Sequence, residues 1–205
     1  LPALAQGGVT FGSFNNYAKV GPRVVALWAS VLRAVPDSRL VMITVPAGES
    51  QESLWDRFES LGVPRTRVVL HDRLDRRTYV SLFSTVDVAL DPFPCNGGTT
   101  TCDALWMGLP VVALKGGTFL SRASLSVLSA CGCEAYAAAD EAAYVEICRR
   151  LAGDLPGLAA TRATLRGQLA ASPLLDAPAF ARDIEAAYRD MWTQWCEGGP
   201  TSSQT

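Results

Sequence analysis

"VDVALDPFPCNGGTTTCDALWMGLPVVAL", residues 86–114, is the stretch on which the fold turns. It opens with a short valine-rich run (86–91), breaks at proline and glycine, and resumes as "TTCDALWMG", whose apolar spacing predicts a helix. It then closes with a second valine-rich run, 110–114. Strand, helix and strand in so few residues form the repeating unit of a parallel sheet covered on both faces.

The same alternation extends in both directions. Strands are predicted at 9–14, 38–45 and 67–71. Helices are predicted at 21–36, 53–62, 76–86, 120–132, 140–154 and 178–195. The helix at 21–36 carries Val24, Val25, Leu27, Trp28, Val31, Leu32 and Val35 at helical period, with a proline in its first turn. The last helix repeats the pattern with Phe180, Ile184, Ala187, Tyr188, Met191 and Trp192. Trp28, Trp106, Trp192 and Trp195 are all expected as core or packing aromatics. The fold class implied is α/β, a doubly wound, mostly parallel sheet with helices on both faces. One domain is expected over 9–196, with a leader or linker at 1–8 and a disordered, polar, glycine-rich tail at 197–205.

Bulk properties narrow the function. At 205 residues, 49% hydrophobic and 19% charged, the chain is long enough for a real core. A formal net charge of −2 argues against a nucleic-acid partner or a polybasic membrane surface. No apolar run reaches spanning length. Six cysteines occur, at positions 95, 102, 131, 133, 148 and 196, with no CxxC pair among them. Reduced thiols in a cytoplasmic protein are the expectation, and no metal site is expected.

Doubly wound sheets bind ligands beyond the carboxyl ends of their strands, at the reversal of strand order. That rule selects "NNYAK" (15–19) and "CNGGTTT" (95–101). In the second turn Gly97 and Gly98 admit close backbone approach, and Thr99 or Thr100 opens a helix whose amides and dipole suit an anion. Asp103, one turn on, suits sugar hydroxyls. Plain helix capping accounts for the same residues equally well. The first turn adds two asparagines and Lys19, a cation able to neutralise a departing diphosphate. His71, the sole histidine, reads as structural, and Ser121 with Arg122 reads as anion ligand or as cap and surface cation. No GxxxxGK[ST], GxGxxG, DxD or serine elbow is present.

Together "FGSFNNYAKVGPRVVALWASVLRAVPDSRL", the 86–114 stretch and "SRASLSVL" resemble the C-terminal catalytic half of the O-GlcNAc transferase family, over residues 9–195. The likeness is to bacterial members that carry this half behind tetratricopeptide repeats. It implies the Rossmann-like C-terminal lobe of a two-domain GT-B glycosyltransferase of family 41. On that resemblance Asn16 and Lys19 contact the diphosphate, Lys19 being the catalytic residue. Gly98, Thr99 and Thr100 form the phosphate turn, and Asp103 holds the ribose. The segment "RLDRRTYV" (73–80) forms the uracil pocket, through the backbone near Leu74, Arg76 toward the ribose and Tyr79 beside the base. Animal members carry histidines at the positions of Tyr79 and Gly98, so base stacking falls here to a different ring. The implied chemistry is metal-independent, inverting transfer of GlcNAc from UDP-GlcNAc to serine or threonine hydroxyls. No cofactor is implied beyond that donor. The implied partners are UDP or a UDP-sugar, the N-terminal catalytic lobe, the repeats and a protein acceptor, and the chain alone is expected to transfer poorly. Two alternatives remain open: a protein glycosyltransferase using UDP-glucose, and a non-catalytic interaction module that kept the fold.

Overall fold

Every strand is short, and every strand lies parallel to its neighbours. The computed structural model describes residues 1–198. Its strands are β1 (Thr10–Ser13), β2 (Arg39–Met42), β3 (Val68–Leu70), β4 (Val88–Leu90), β5 (Val111–Leu114) and β6 (Ala137–Ala138). They form one six-stranded sheet in the order β3-β2-β1-β4-β5-β6. This is the doubly wound order, and its direction reverses between β1 and β4.

The sheet separates two apolar cores, and strand alternation assigns each side chain to one of them. Phe11, Leu40, Met42, Val88, Leu90, Val112 and Leu114 point to one core. Val41, Ala89, Val111 and Ala113 point to the other. The first core is covered by α1 (Pro2–Gln6), α2 (Pro22–Ala34), α3 (Glu49–Ser60) and α7 (Glu141–Gly153). Pro22 opens α2 in its first turn, where no amide donor is needed, and the expected stripe from Val24 to Leu32 is buried. The second core is covered by α5 (Thr99–Trp106), α6 (Ala123–Ala130) and α8 (Leu155–Ala170), with Tyr79 of α4 (Arg76–Leu82) packed against it.

Residues 1–8, expected as a leader, carry α1. Ala3 is buried, and its amide donates to Asp87 Oδ1 at 3.1 Å. The last helix, α9 (Ala177–Gly198), has the expected apolar stripe but no buried residue. Trp192 and Trp195 are therefore not core aromatics: they are 67% and 55% exposed, because no described element packs over that face. The expected tail lies outside the described residues from position 199 onward. Among the described residues no helix is long and apolar enough to cross a membrane.

Candidate functional site

The two turns chosen by the sheet-edge rule meet in space. After β1 the chain makes one 3-10 turn, Tyr17–Lys19. Asn16 is exposed and caps that turn, accepting from the Ala18 amide at 2.9 Å. Its neighbour Asn15 is buried and faces the interior of the site. Asn15 Oδ1 accepts from Thr100 Oγ1 at 2.9 Å and from Lys19 Nζ at 3.4 Å. Lys19 Nζ also donates to the Asn96 carbonyl at 2.9 Å. Lys19 and the threonine turn, 77 and more residues apart in sequence, are thus tied by direct hydrogen bonds.

Gly98 precedes α5, and no side chain caps that helix. The capping reading of Thr99 and Thr100 therefore fails on geometry: Thr100 spends its hydroxyl on Asn15, and Thr99 stands exposed at the helix head. Uncapped first-turn amides and the dipole behind them favour an anion. Gly97 is required for its size. A Cβ there would lie 2.7 Å from Asp91 Oδ1 and nearer still to Thr101 Oγ1.

Beneath the turn lies a carboxylate that the sequence reading did not select. Asp91 follows β4 and is 1% exposed. Its Oδ1 accepts from the Gly97 amide at 2.8 Å and from Asn15 Nδ2 at 3.4 Å, and its Oδ2 accepts from Ser124 Oγ at 2.9 Å. Burial pushes its carboxyl up to about 7, against the partial offset of those donors and of the Lys19 charge. The residues that sequence reasoning missed are Asn15, Asp91 and Ser124. The signal for Asn15 was its place beside Asn16, and for Asp91 its place at a strand's carboxyl end.

A cavity of ≈ 500 Å³ opens beside the turn, lined by Arg76, Tyr79, Val80, Phe83, Thr99, Asp103, Trp106 and Met107. Tyr79 donates its hydroxyl to Asp103 Oδ2 at 3.1 Å. Burial, and next the Asp103 charge, raise the Tyr79 phenol above its ordinary range, so it remains a donor. Phe14 and Phe83 meet the Tyr79 ring edge-on, at 6.0 and 5.2 Å, and fix its orientation. Trp106, expected as packing, is 44% exposed and forms part of the cavity wall. Arg76 opens α4 at the rim, and Leu74, two residues earlier, packs on the second core. One end of the site thus offers a flat apolar slot with a carboxylate, suited to a nucleoside. The other offers a cation, a hydroxyl and helix amides, suited to phosphate.

Ser121 and Arg122 belong to a 3-10 turn, Leu120–Arg122, whose Leu120 carbonyl accepts from the Asn96 amide of the threonine turn at 3.1 Å. Ser121 closes its own loop by bonding Thr118, while Arg122 is exposed. His71 follows β3, its amide donating to the Met42 carbonyl at 2.8 Å. All six cysteines are free thiols.

Comparison with known proteins covers nearly the whole chain. The model of glycosyl transferase family 41 matches residues 2–184. The probable UDP-N-acetylglucosamine–peptide N-acetylglucosaminyltransferase SPINDLY of Arabidopsis thaliana is 41% identical over 202 residues, covering 96% of this chain and 22% of its own length. The UDP-N-acetylglucosamine–peptide N-acetylglucosaminyltransferase of Caenorhabditis elegans is 30% identical over 197 residues, or 96% of this chain and 17% of its own length. Among solved structures, a mutant of the Thermobaculum terrenum O-GlcNAc transferase superposes with a TM-score of 0.88 at 35% identity, over 93% of this chain and 37% of that one. This chain thus spans about a fifth of the curated relatives it matches.

Proposed function

The chain belongs to glycosyl transferase family 41, and from that premise we propose that it forms the nucleotide-sugar lobe of a protein glycosyltransferase. The reaction proposed is metal-independent, inverting transfer of GlcNAc from UDP-GlcNAc to a serine or threonine hydroxyl. The observation that carries it is the convergence of Lys19, Thr100 and the uncapped head of α5 beside the Tyr79–Asp103 cavity. The names of the SPINDLY and nematode relatives supply the sugar and the peptide acceptor.

The residues divide the work along the ligand. Uridine enters the cavity, its base against the Tyr79–Trp106 walls and its ribose hydroxyls donating to Asp103, with Arg76 at the rim. The diphosphate lies over the head of α5, against Thr99, Thr100 and the Lys19 ammonium. Asn16 flanks it from the 3-10 turn. As the acceptor oxygen attacks the anomeric carbon from the face opposite UDP, the glycosidic C–O bond breaks and its electron pair passes to the β-phosphate. Lys19 and the dipole of α5 stabilise that growing charge, which costs little because both are already in place. The acceptor and the base that takes its proton belong to residues beyond these, in an N-terminal lobe, with repeats proposed to deliver the protein substrate.

Titration calorimetry with UDP, with and without EDTA, tests this assignment. Micromolar binding indifferent to EDTA is expected. Lys19→Ala and Asp103→Ala should each cost about 1.5–3 kcal/mol, the range for a hydrogen bond to a charged group. Wild-type protein that binds no UDP, or affinity unchanged in both variants, overturns the reading. A donor competition between UDP-GlcNAc and UDP-glucose decides the sugar.

A further inference from the structure

Asp91 is the hub on which the two turns of the phosphate end hang. Three elements besides its own strand donate to its carboxylate: Asn15 after β1, Gly97 from the turn, and Ser124 from α6. Ser124 Oγ, its one proton given to Asp91, accepts in turn from Thr101 Oγ1 at 2.9 Å. From α7, the Tyr144 hydroxyl donates to the Asp91 main-chain carbonyl at 3.4 Å. A carboxylate accepts and cannot donate, so it turns the Asn15 amide nitrogen inward. The Asn15 amide oxygen then faces outward, where Lys19 and Thr100 bond to it.

The charges around this hub are few. Facing Asp91 are the neutral Asn15, Gly97, Ser124 and Tyr144, and one cation, Lys19, one amide away. An anionic ligand at the head of α5 competes for that same ammonium. We infer that Asp91 is a positioning residue for the donor diphosphate: through Asn15 it holds Lys19 in place, and it yields Lys19 to the donor by taking up a proton from solvent. The inference rests on the donor-site reading above. A buried carboxylate whose neighbouring cation is claimed by a diphosphate is easier to protonate than to leave charged. Its carboxyl, already pushed up to about 7 by burial, is poised for that exchange near neutral pH.

The test uses UDP-GlcNAc, whose esterified diphosphate does not titrate near neutrality, on the full 205-residue chain. Calorimetry at pH 7 in buffers of different ionisation enthalpy should show uptake of about half a proton per ligand, and affinity should fall about threefold to tenfold between pH 6 and pH 8.5. Asp91→Asn keeps the acceptor toward Gly97 and Asn15 but cannot titrate. It should bind with pH-independent affinity and no proton uptake, while its affinity for uridine, which lacks phosphate, matches wild type. A purely structural role would weaken uridine and UDP-GlcNAc together and leave the pH slope in place. Zero proton uptake by wild-type protein overturns the inference with no variant needed, as does an Asp91→Asn variant that retains the slope. Wild-type protein that binds no UDP-GlcNAc at any pH overturns the donor-site reading instead.

Discussion

At Gly97 a side chain has no room, whereas at Gly98, one residue on, it has open space. A Cβ on Gly97 would drive into Asp91 Oδ1, Thr100 Oγ1 and Thr101 Oγ1, the three atoms that organise the turn. A Cβ on Gly98 meets no atom within 4 Å. Gly97→Ala should therefore cost about 1–3 kcal/mol, the usual penalty of overpacking. Gly98→Ala should leave the melting temperature unchanged. Thermal melts of the two variants check this, and equal effects would contradict the packing described here. The same scale shows where sequence reading stopped. Lys19, Thr100 and Asp103 could be named because a cation, a helix head and a carboxylate announce their chemistry at a sheet edge. Asn15 and Asn16 are the same residue type side by side, and only the path of the chain after β1 decides that Asn15 turns inward while Asn16 caps the 3-10 turn. Asp91 was hidden by its position, since a carboxylate ending a strand reads as a loop residue until three elements are seen to converge on it.

Among the elements, α8 and α9 differ in sequence pattern and are opposite in role. α8 buries Leu158, Leu165 and Leu169, and its Arg162 donates to the carbonyls of Val86 and Asp87 at 2.7 and 3.0 Å, locking it to the head of β4. Pro156, Gly157 and Gly167 make α8 hard to read from sequence, since such residues commonly break helices. Pro156 in fact sits in the first turn, where Asp154 caps the Gly157 amide at 2.9 Å. β6 escaped notice as well, being two alanines long. By contrast α9 was legible from its stripe, yet that stripe buries nothing: Phe180, Tyr188, Met191 and Trp192 are each more than half exposed. Periodicity reveals that a helix forms but not what covers it. Removing residues 177–205 should thus shift the melting temperature by no more than about 2–4 °C, the equivalent of roughly 1 kcal/mol in a chain this size. The red-shifted tryptophan emission should shrink with the loss of Trp192 and Trp195, leaving the buried Trp28, the partly buried Trp55 and the 44%-exposed Trp106. A collapse of the melt on truncation would show that α9 carries stability these contacts do not account for.

Across the whole molecule, parallel strands and a reversal between β1 and β4 were readable because buried strands alternating with helices admit few arrangements. What that topology costs was not readable. Bringing two strand ends together at the reversal buries Asp91, and its burial contributes to the pH response of the fold. In the unfolded chain its carboxyl titrates near the ordinary 3.8, and in the folded protein near about 7. Between those values the native state keeps a proton that the unfolded chain has released, so stability falls as pH rises through the window and levels off above it. The exposed carboxylates Glu52 and Glu146 act in the opposite sense. Hydrogen bonds from Arg65 and Arg149 lower them, so their small contribution is present above the usual value of 4.5 and is lost as pH falls through the lowered one. The falling contribution of Asp91 thus shifts the stability maximum toward the acidic side of neutrality. Asp91→Asn removes the falling limb. Its stability relative to wild type should rise steadily from pH 4 to pH 7, reaching on the order of a few kcal/mol, and then stay constant. Urea denaturation of both proteins at unit pH steps measures this difference directly. A difference that is flat with pH, or that grows toward acid, would mean that Asp91 carries its charge without penalty in the folded chain.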